Sequence, residues 1–199
     1  MGSQWGRDKG YRNAMREGYR SRAAYKLLEI QQHAGMIRQD DNVVDLGAAP
    51  GSWLQVVRTL TEGRVLGIDL NPIAPIEGVE TIVGDLTDPA LPARVKDALG
   101  VVNVVVADAS PKLSGQRSYD QARAVALGEQ ALAFACAVLK PGGNFVVKSF
   151  QGEDFSEFLA EVRTKFRSAR TYQAKASRKG SREIYIIGKN FIGCDADAD

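Results

Sequence analysis

The chain of 199 residues contains 44% hydrophobic and 25% charged residues, which is close to ordinary globular domains and far from disordered, collagen-like or membrane compositions. This length favours a single domain over two. No apolar stretch approaches the ~20 residues of a membrane span, and residues 1–26 are too polar for a secretory signal. We therefore expect a cytoplasmic protein with no membrane partner.

The few cysteine and histidine residues argue against a disulfide framework and against a metal site. Cys136 lies in an apolar helical run and Cys194 in the final tail, so we expect them to build no disulfide framework. With His33 as the single histidine and no Cys or His cluster, a zinc site is excluded, and we expect no metal cofactor. No pattern indicates a coiled coil or a large unpaired apolar edge, so we expect a monomer.

Charge is segregated along the chain, although the formal net charge is only +2. Residues 1–26 carry seven Lys or Arg against two acidic residues, and residues 163–182 carry eight and no acidic residue. Residues 27–162, in contrast, carry ten basic and eighteen acidic residues. This asymmetry indicates a polyanion held by two basic segments around an acidic body. Tyrosines within the segments favour a nucleic acid over the alternative of two solvated faces: Tyr11, Tyr19, Tyr25 and Tyr172.

After a polar start, helical and strand patterns alternate. An amphipathic helix is predicted over residues 21–34, with Gly35 beyond its end. Short runs rich in Val and Ile, without polar alternation, predict strands covered on both faces: residues 42–46, 65–68, 79–83, 101–107, 144–148 and 184–187. Helical patterns lie between them at residues 52–61, 89–99, 119–139 and 155–166. A weaker strand candidate, 168–176, would pair antiparallel with 184–187.

This order predicts an α/β fold with a doubly wound, Rossmann-like, mostly parallel sheet and right-handed crossovers. An antiparallel strand is expected at its C-terminal end. We divide the chain into a basic N-terminal extension (1–20), one α/β domain (21–193) and a disordered acidic tail (194–199).

The most informative motif is Asp-Leu-Gly-Ala-Ala-Pro-Gly-Ser-Trp at residues 45–53, which follows the first strand and opens a helix. Its small residues, including Gly47 and Gly51, let the backbone approach a ligand at the carboxyl end of the sheet. Pro50 and alanines stand where a pyrophosphate-binding G-x-G-x-x-G needs glycine, and no P-loop lysine is present. A nicotinamide-dependent dehydrogenase is therefore disfavoured, and a nucleoside ligand without pyrophosphate fits better.

Acidic residues follow the next two strands. Asp69 ends the second strand about twenty residues further on, where it can accept hydrogen bonds from both ribose hydroxyls of an adenosine. Asp85, after the third strand, can accept from the adenine amine, although an acid at a strand end is often a cap or turn former. Three such features at successive strand ends predict an S-adenosylmethionine site.

The fourth and fifth strands end in Asp108 and Lys148, so both side chains should face the same crevice. A lysine closing a buried strand can extend its stem to water, or it can be held partly desolvated near other charges, where it takes a proton. Lys26 is a candidate second cation. Glu183, which opens the last strand, would balance the charge or position the nucleic acid.

These residues resemble the FtsJ/RrmJ-type (RlmE-like) ribosomal RNA ribose 2′-O-methyltransferases. The resemblance extends from the helix at residues 21–28 to residues 181–186. The Lys-Asp-Lys-Glu tetrad of that family is matched by Lys26, Asp108, Lys148 and Glu183, and its cofactor loop by residues 47–53. Ser52 stands where a glycine is common, and we expect it to cap the following helix. The resemblance implies S-adenosylmethionine contacts from Gly51, Trp53, Asp69, Asp85 and Asp108.

It also implies methylation of a uridine of 23S ribosomal RNA in the large subunit, with Lys148 as the base, Asp108 orienting it and Lys26 favouring the developing alkoxide. Transfer RNA or another RNA remains an alternative substrate, and a non-catalytic RNA-binding protein an alternative class. A base methyltransferase is disfavoured, because Asp108-Ala109-Ser110-Pro111 replaces the Asn/Asp-Pro-Pro-aromatic run common in amino-methylating enzymes. No cysteine nucleophile for carbon methylation lies in the predicted crevice.

Overall fold

The computed structural model describes residues 9–111, 114–152, 154–177 and 180–194, without the side chains of Lys9, Arg117 and Ser118. Several features of our predictions lie outside these ranges: Arg7, Arg178, Lys179 and the tail residues 195–199. Among the described residues, no helix is long and apolar enough to cross a membrane.

Within these ranges the chain forms six helices and seven strands: α1 Lys9–Arg16, α2 Ala23–Ala34, β1 Val43–Leu46, α3 Ser52–Leu60, β2 Val65–Asp69, β3 Glu80–Val83, α4 Leu91–Leu99, β4 Val102–Ala107, α5 Arg117–Val138, β5 Leu139–Phe150, α6 Phe155–Lys165, β6 Phe166–Tyr172 and β7 Glu183–Phe191. Each predicted element is present. The largest shift is in β5, which begins five residues before the predicted start at 144.

Helix α1 was not predicted, because its charged sequence was interpreted as an extension. The missed signal is the spacing of Tyr11, Ala14 and Met15, three and four residues apart. Ala14 is fully buried.

The sheet order is β3-β2-β1-β4-β5-β7-β6. Strands β1 to β5 pair in parallel, whereas β7 runs antiparallel between β5 and β6. This confirms the predicted doubly wound, mostly parallel fold with an antiparallel C-terminal end. The chain order changes direction between β1 and β4, and in such sheets ligands bind at this switch point, outside the carboxyl ends of the strands.

Both faces of the sheet are buried at β1, β2 and β4, whereas the edge strand β3, which we expected to be covered on both faces, is largely exposed because it has a neighbour on one side only. Val105, Phe145 and Val147 belong to the apolar cluster under α4, α5 and α6, whereas Val104 and Val146 belong to the cluster under α2 and α3. Successive strand residues point to opposite faces. Because both faces are covered, the strands need the continuous apolar runs seen in the sequence.

The cysteine prediction was wrong, because Cys136 and Cys194 form a disulfide with their Cα atoms 5.8 Å apart. Strand β7 runs antiparallel to β5 and so returns the chain to the edge where α5 ends. Lys165 Nζ donates to the Cys194 carbonyl at 2.8 Å and further fixes this end of the chain. The separation of 58 residues concealed this proximity in the sequence.

Candidate active site

A cleft of about 700 Å³ opens at the carboxyl ends of β1, β2 and β4, within the size range of small-molecule sites. Its lining combines predicted site residues with neighbouring loop and helix residues: Gly47, Ala49, Ile68, Asp69, Leu70, Asn71, Gly84, Asp85, Leu86, Asp108, Ala109, Ser110, Pro111, Arg123, Ala126, Leu127 and Gln130. Of the predicted cofactor residues, Gly47, Asp69, Asp85 and Asp108 are in this lining, whereas Gly51 and Trp53 are not.

Gly47 lets two loops meet at the cleft. Its φ of 71° lies in the left-handed region, and a Cβ built on it would lie 2.6 Å from the Ala109 Cβ. A larger residue would therefore push the loop after β4 away from the loop after β1.

Ser52 and Trp53 face helix α2 and the segment before it. The Trp53 indole is buried and donates from Nε1 to the Ala23 carbonyl at 2.8 Å. The capping role predicted for Ser52 was wrong: Gly51 occupies the cap position, and the Ser52 hydroxyl instead shares a hydrogen bond with the Ser21 hydroxyl, 2.7 Å apart. As the first residue of α3, Ser52 is already too far along the helix to cap it.

The two strand-end acids bind the loops that follow them. Asp69 Oδ2 accepts from the Ala49 N–H at 3.0 Å, and Oδ1 accepts from the Asn71 N–H at 2.8 Å. Asp85 Oδ1 accepts from the backbone N–H and the hydroxyl of Thr87, and these bonds lower the pKa of Asp85. Asp85 thus forms a turn and also lines the cleft, whereas its contact with adenine stays a prediction.

The structure brings together the four residues of the predicted tetrad. Lys148 Nζ lies 3.1 Å from Asp108 Oδ1 and donates to the Asp108 backbone carbonyl at 2.7 Å. Lys26 Nζ lies 2.7 Å from Glu183 Oε1. Lys148 is only 7% exposed, so its stem does not extend to water; the ammonium is held against Asp108.

Tyr185 joins the two ion pairs. Its hydroxyl lies 2.8 Å from Asp108 Oδ1 and 3.2 Å from Glu183 Oε1, and it can donate to either oxygen. Burial, followed by the charges of Asp108 and Glu183, raises the pKa of Tyr185 well above its usual value, so the hydroxyl remains a donor. Our sequence analysis missed this residue. The signal available in the sequence was that Tyr185 lies two residues after Glu183. In a strand, residues two apart point to the same face.

Glu183 is ionised in this network. Burial by itself would raise the pKa of Glu183, but the Lys26 ammonium, a hydrogen bond from Ser177 and the charge of Lys148 together hold it below its usual value. Ser177 Oγ lies 2.7 Å from Glu183 Oε1. The carboxylate therefore fixes Lys26 on one side and the loop after β6 on the other.

Asp45, at the centre of β1, carries a carboxyl group that is 1% exposed. Neither oxygen has a hydrogen-bond partner among the described residues. Burial, then the charges of Asp108 and Asp69, raise the pKa of Asp45 well above its ordinary value of 3.8. A raised pKa favours the neutral form of Asp45, which adds no negative charge beneath the cleft.

We expect Asp45→Asn to change the pH dependence of stability. Between the ordinary and the raised pKa, folded Asp45 keeps a proton that the unfolded chain has lost, so its contribution makes the free energy of unfolding fall as pH rises. Asparagine cannot titrate. As pH rises through this range, the free energy of unfolding of the variant minus that of wild type should therefore increase by up to ~1.4 kcal/mol per pH unit. Urea unfolding of both proteins from pH 4 to 8 measures this difference; a pH-independent difference would contradict a raised pKa.

Helix α2, which begins within the first basic segment, contacts the second basic segment. Glu29 of α2 accepts from the backbone N–H groups of Lys175 and Ala176 at 2.7 and 2.9 Å. The His33 and Tyr172 rings stack with centroids 4.6 Å apart. Helix α2 thus holds Tyr172, Lys175 and Ala176 of the second basic segment.

A cleft at the switch point of a Rossmann-like sheet, with Asp108 shared between its lining and a buried ion pair, fits a methyltransferase. The model of the FtsJ-like methyltransferase family matches residues 19–191. The chain belongs to this family, as the tetrad and the cofactor loop led us to expect.

Similar proteins carry corresponding names. The chain is 71% identical over 200 residues to "Ribosomal RNA large subunit methyltransferase E" of Methanoculleus marisnigri, covering 100% of this chain and 98% of that protein. It is 68% identical to the protein of the same name from Methanoregula boonei, covering 97% and 100%. A solved structure of a Plasmodium falciparum protein described as a ribosomal RNA methyltransferase superposes with a TM-score of 0.80 at 26% identity, covering 88% of this chain and 100% of that chain.

Proposed function

We propose that this protein transfers a methyl group from S-adenosylmethionine to the 2′-hydroxyl of a uridine in 23S ribosomal RNA of the large subunit. The observation that carries the proposal is the buried network in which Tyr185 links the Lys148–Asp108 pair to the Lys26–Glu183 pair. This network adjoins the cleft, because Asp108 belongs to both.

The residues of the cleft fit S-adenosylmethionine. Asp69, Asp85 and Asp108 supply acceptors along its length, which suits a ligand with ribose hydroxyls, an amino group and a sulfonium charge. Gly47 and Ala49 of the loop after β1 also line the cleft. When bound, the cofactor supplies a methyl group already activated by the sulfonium.

The protein then has to activate a weak nucleophile. In its neutral amine form, Lys148 would take the proton from the ribose 2′-hydroxyl, and Asp108 would orient its Nζ through the contacts at 3.1 and 2.7 Å. Lys26, fixed by Glu183, would place positive charge near the developing alkoxide. Tyr185 would keep the two pairs at a constant separation, as expected of a residue that binds both carboxylates.

The basic segments support RNA as the substrate. Arg12, Arg16, Lys175 and Arg182 are exposed, and Glu29 holds the second segment close to the tetrad. The names of the relatives favour ribosomal RNA of the large subunit over transfer RNA.

The direct test is methyl transfer from labelled S-adenosylmethionine to unmodified transcripts of 23S ribosomal RNA and of transfer RNA. A 2′-O-methyl group blocks alkaline cleavage of the adjacent phosphodiester, so label in alkali-stable dinucleotides identifies ribose methylation. Mass spectrometry of the digested nucleosides identifies the base. We expect label in 2′-O-methyluridine from the 23S transcript or from the large subunit assembled on it.

Label in the mononucleotides released by alkali would instead indicate base methylation. Label in transfer RNA alone would overturn the ribosomal assignment. RNA binding without S-adenosylmethionine binding in calorimetry would support the non-catalytic alternative.

The basic segments lead to a prediction about salt. Each neutralised phosphate releases counterions, so RNA affinity should fall steeply with salt concentration while cofactor affinity hardly changes. The double variants Arg12→Ala/Arg16→Ala and Lys175→Ala/Arg182→Ala should each reduce the slope of log K against log salt by roughly one to two. Filter binding at four salt concentrations measures these slopes.

The matched control is Arg94→Ala/Lys96→Ala, which removes two cations from α4 on the sheet face opposite to α2. Equal slopes for all four proteins would show that the basic segments serve only solubility.

A further inference from the structure

Arg20, counted among the basic residues of the N-terminal segment, directs its guanidinium at backbone carbonyl groups of the same chain. Its Nη1 donates to the Pro50 carbonyl at 2.7 Å and to the Ala74 carbonyl at 2.8 Å. Its Nη2 donates to the Pro75 carbonyl at 2.9 Å. A guanidinium directed at three backbone carbonyls is poorly placed to bind phosphate as well. Arg20 therefore differs from the exposed Arg12 and Arg16.

The backbone beside Arg20 is fixed independently of its side chain. The Arg20 N–H donates to Gln55 Oε1 at 2.9 Å, and Gln55 Nε2 donates to the Gly18 carbonyl at 2.9 Å. One glutamine of α3 thus holds both ends of residues 18–20. This aligns the guanidinium with its carbonyl partners and reduces the entropy cost of their contact.

Gly51 provides the space for this arrangement. A Cβ at Gly51 would lie 2.7 Å from Arg20 Nη1 and 3.0 Å from Ile76 Cδ1. The residue is buried and has a φ of 104°. The glycine that we expected to admit a ligand instead admits the Arg20 side chain.

The three carbonyls belong to two loops that form the cleft. Pro50 follows Ala49, which lines the cleft and donates its N–H to Asp69. Ala74 and Pro75 follow Leu70 and Asn71 in the loop after β2, and both of these also line the cleft. Arg20 therefore ties the loop after β1 to the loop after β2 from outside the cleft.

We propose that Arg20 is a positioning residue for the S-adenosylmethionine site, which it maintains by holding these two loops in register. The inference rests on the proposed function in that the cleft is taken to bind this cofactor. The charge pattern alone groups Arg20 with the cations proposed to bind RNA. The inference gives it a different role.

The test is a comparison of Arg20→Ala with Arg16→Ala. Arg20→Ala should weaken S-adenosylmethionine binding on the order of tenfold, because the loops must be ordered on binding, and should leave the salt slope of RNA binding unchanged. Arg16→Ala should leave S-adenosylmethionine affinity unchanged and should reduce the salt slope of RNA binding. Arg20→Lys should recover part of the cofactor affinity, since an ammonium donates to up to three acceptors but lacks the planar fork.

Calorimetry with S-adenosylmethionine, salt titrations with the 23S transcript and thermal unfolding without ligand supply the readouts. Gln55→Ala, which leaves the guanidinium intact, serves as a second variant if Arg20→Ala does not fold; it should weaken cofactor binding several-fold. Wild-type cofactor affinity together with a reduced salt slope in Arg20→Ala would assign Arg20 to RNA and overturn the inference. Failure of the wild type to bind S-adenosylmethionine would overturn the proposed function itself.

Discussion

Lys148→Ala should abolish methyl transfer while leaving S-adenosylmethionine affinity within a few-fold of wild type. Lys148 is the proposed base, and its contacts are to Asp108. Loss of a general base typically costs a factor of ~10²–10⁴ in the chemical step. Single-turnover methylation of the 23S transcript at saturating cofactor measures the rate, and calorimetry measures the affinity.

Lys148→Arg distinguishes a base from a fixed positive charge. Arginine can preserve the ion pair with Asp108, but it remains protonated at neutral pH and cannot accept a proton. If Lys148 is the base, both variants should be inactive. Substantial activity of Lys148→Arg would reduce the residue to an electrostatic role, and near-normal turnover of Lys148→Ala would remove it from the mechanism.

Asp69→Ala should produce the second large effect, a loss of ~1.5–3 kcal/mol in S-adenosylmethionine binding. This corresponds to a roughly ten- to hundredfold rise in the dissociation constant. The carboxylate is the proposed partner of the ribose hydroxyls, and it also fixes the Ala49 N–H at 3.0 Å. Both contributions act on the cofactor, so RNA affinity should not change. Calorimetric titration of the variant with S-adenosylmethionine provides the measurement.

Asp85→Ala is the matched comparison, because Asp85 lies just after β3 and lines the cleft but is exposed and bound to Thr87. Its effect should be smaller than that of Asp69→Ala. Unchanged affinity in Asp69→Ala would mean that the adenosine lies elsewhere.

The central strands could be predicted because they are buried on both faces and because strand and helix patterns alternate along most of the chain. Val104 and Val105, for example, face opposite clusters, and an apolar run of this kind has few other places in a fold. The disulfide could not be predicted in this way. Cys194 approaches Cys136 because β7 runs antiparallel to β5, and pairing across 58 residues depends on that topology.

For the candidate site, the position of a residue at the end of a strand was enough to predict its neighbours. The direction in which a loop residue points could not be predicted. Asp108 follows β4, and Lys148 lies near the carboxyl end of the neighbouring parallel strand β5, so their proximity could be inferred. Gly51 and Trp53 lie in the same motif as Gly47, yet the turn into α3 directs them toward Arg20 and Ala23. Local sequence does not encode such contacts between distant segments, and this is also why Arg20 resembled an RNA-binding cation.

The tetrad is assembled from two mechanically different parts of the molecule. Lys148, Glu183 and Tyr185 belong to β5 and β7, which pair with a neighbour on each side, and Asp108 directly follows β4. Lys26 arrives on α2, and its ion pair with Glu183 connects the helix to the sheet. A displacement of α2 would carry Lys26 away from Glu183 and leave the Lys148–Asp108 pair intact. The proposed base thus belongs to the hydrogen-bonded sheet, whereas the cation proposed to favour the alkoxide lies on a helix packed against it.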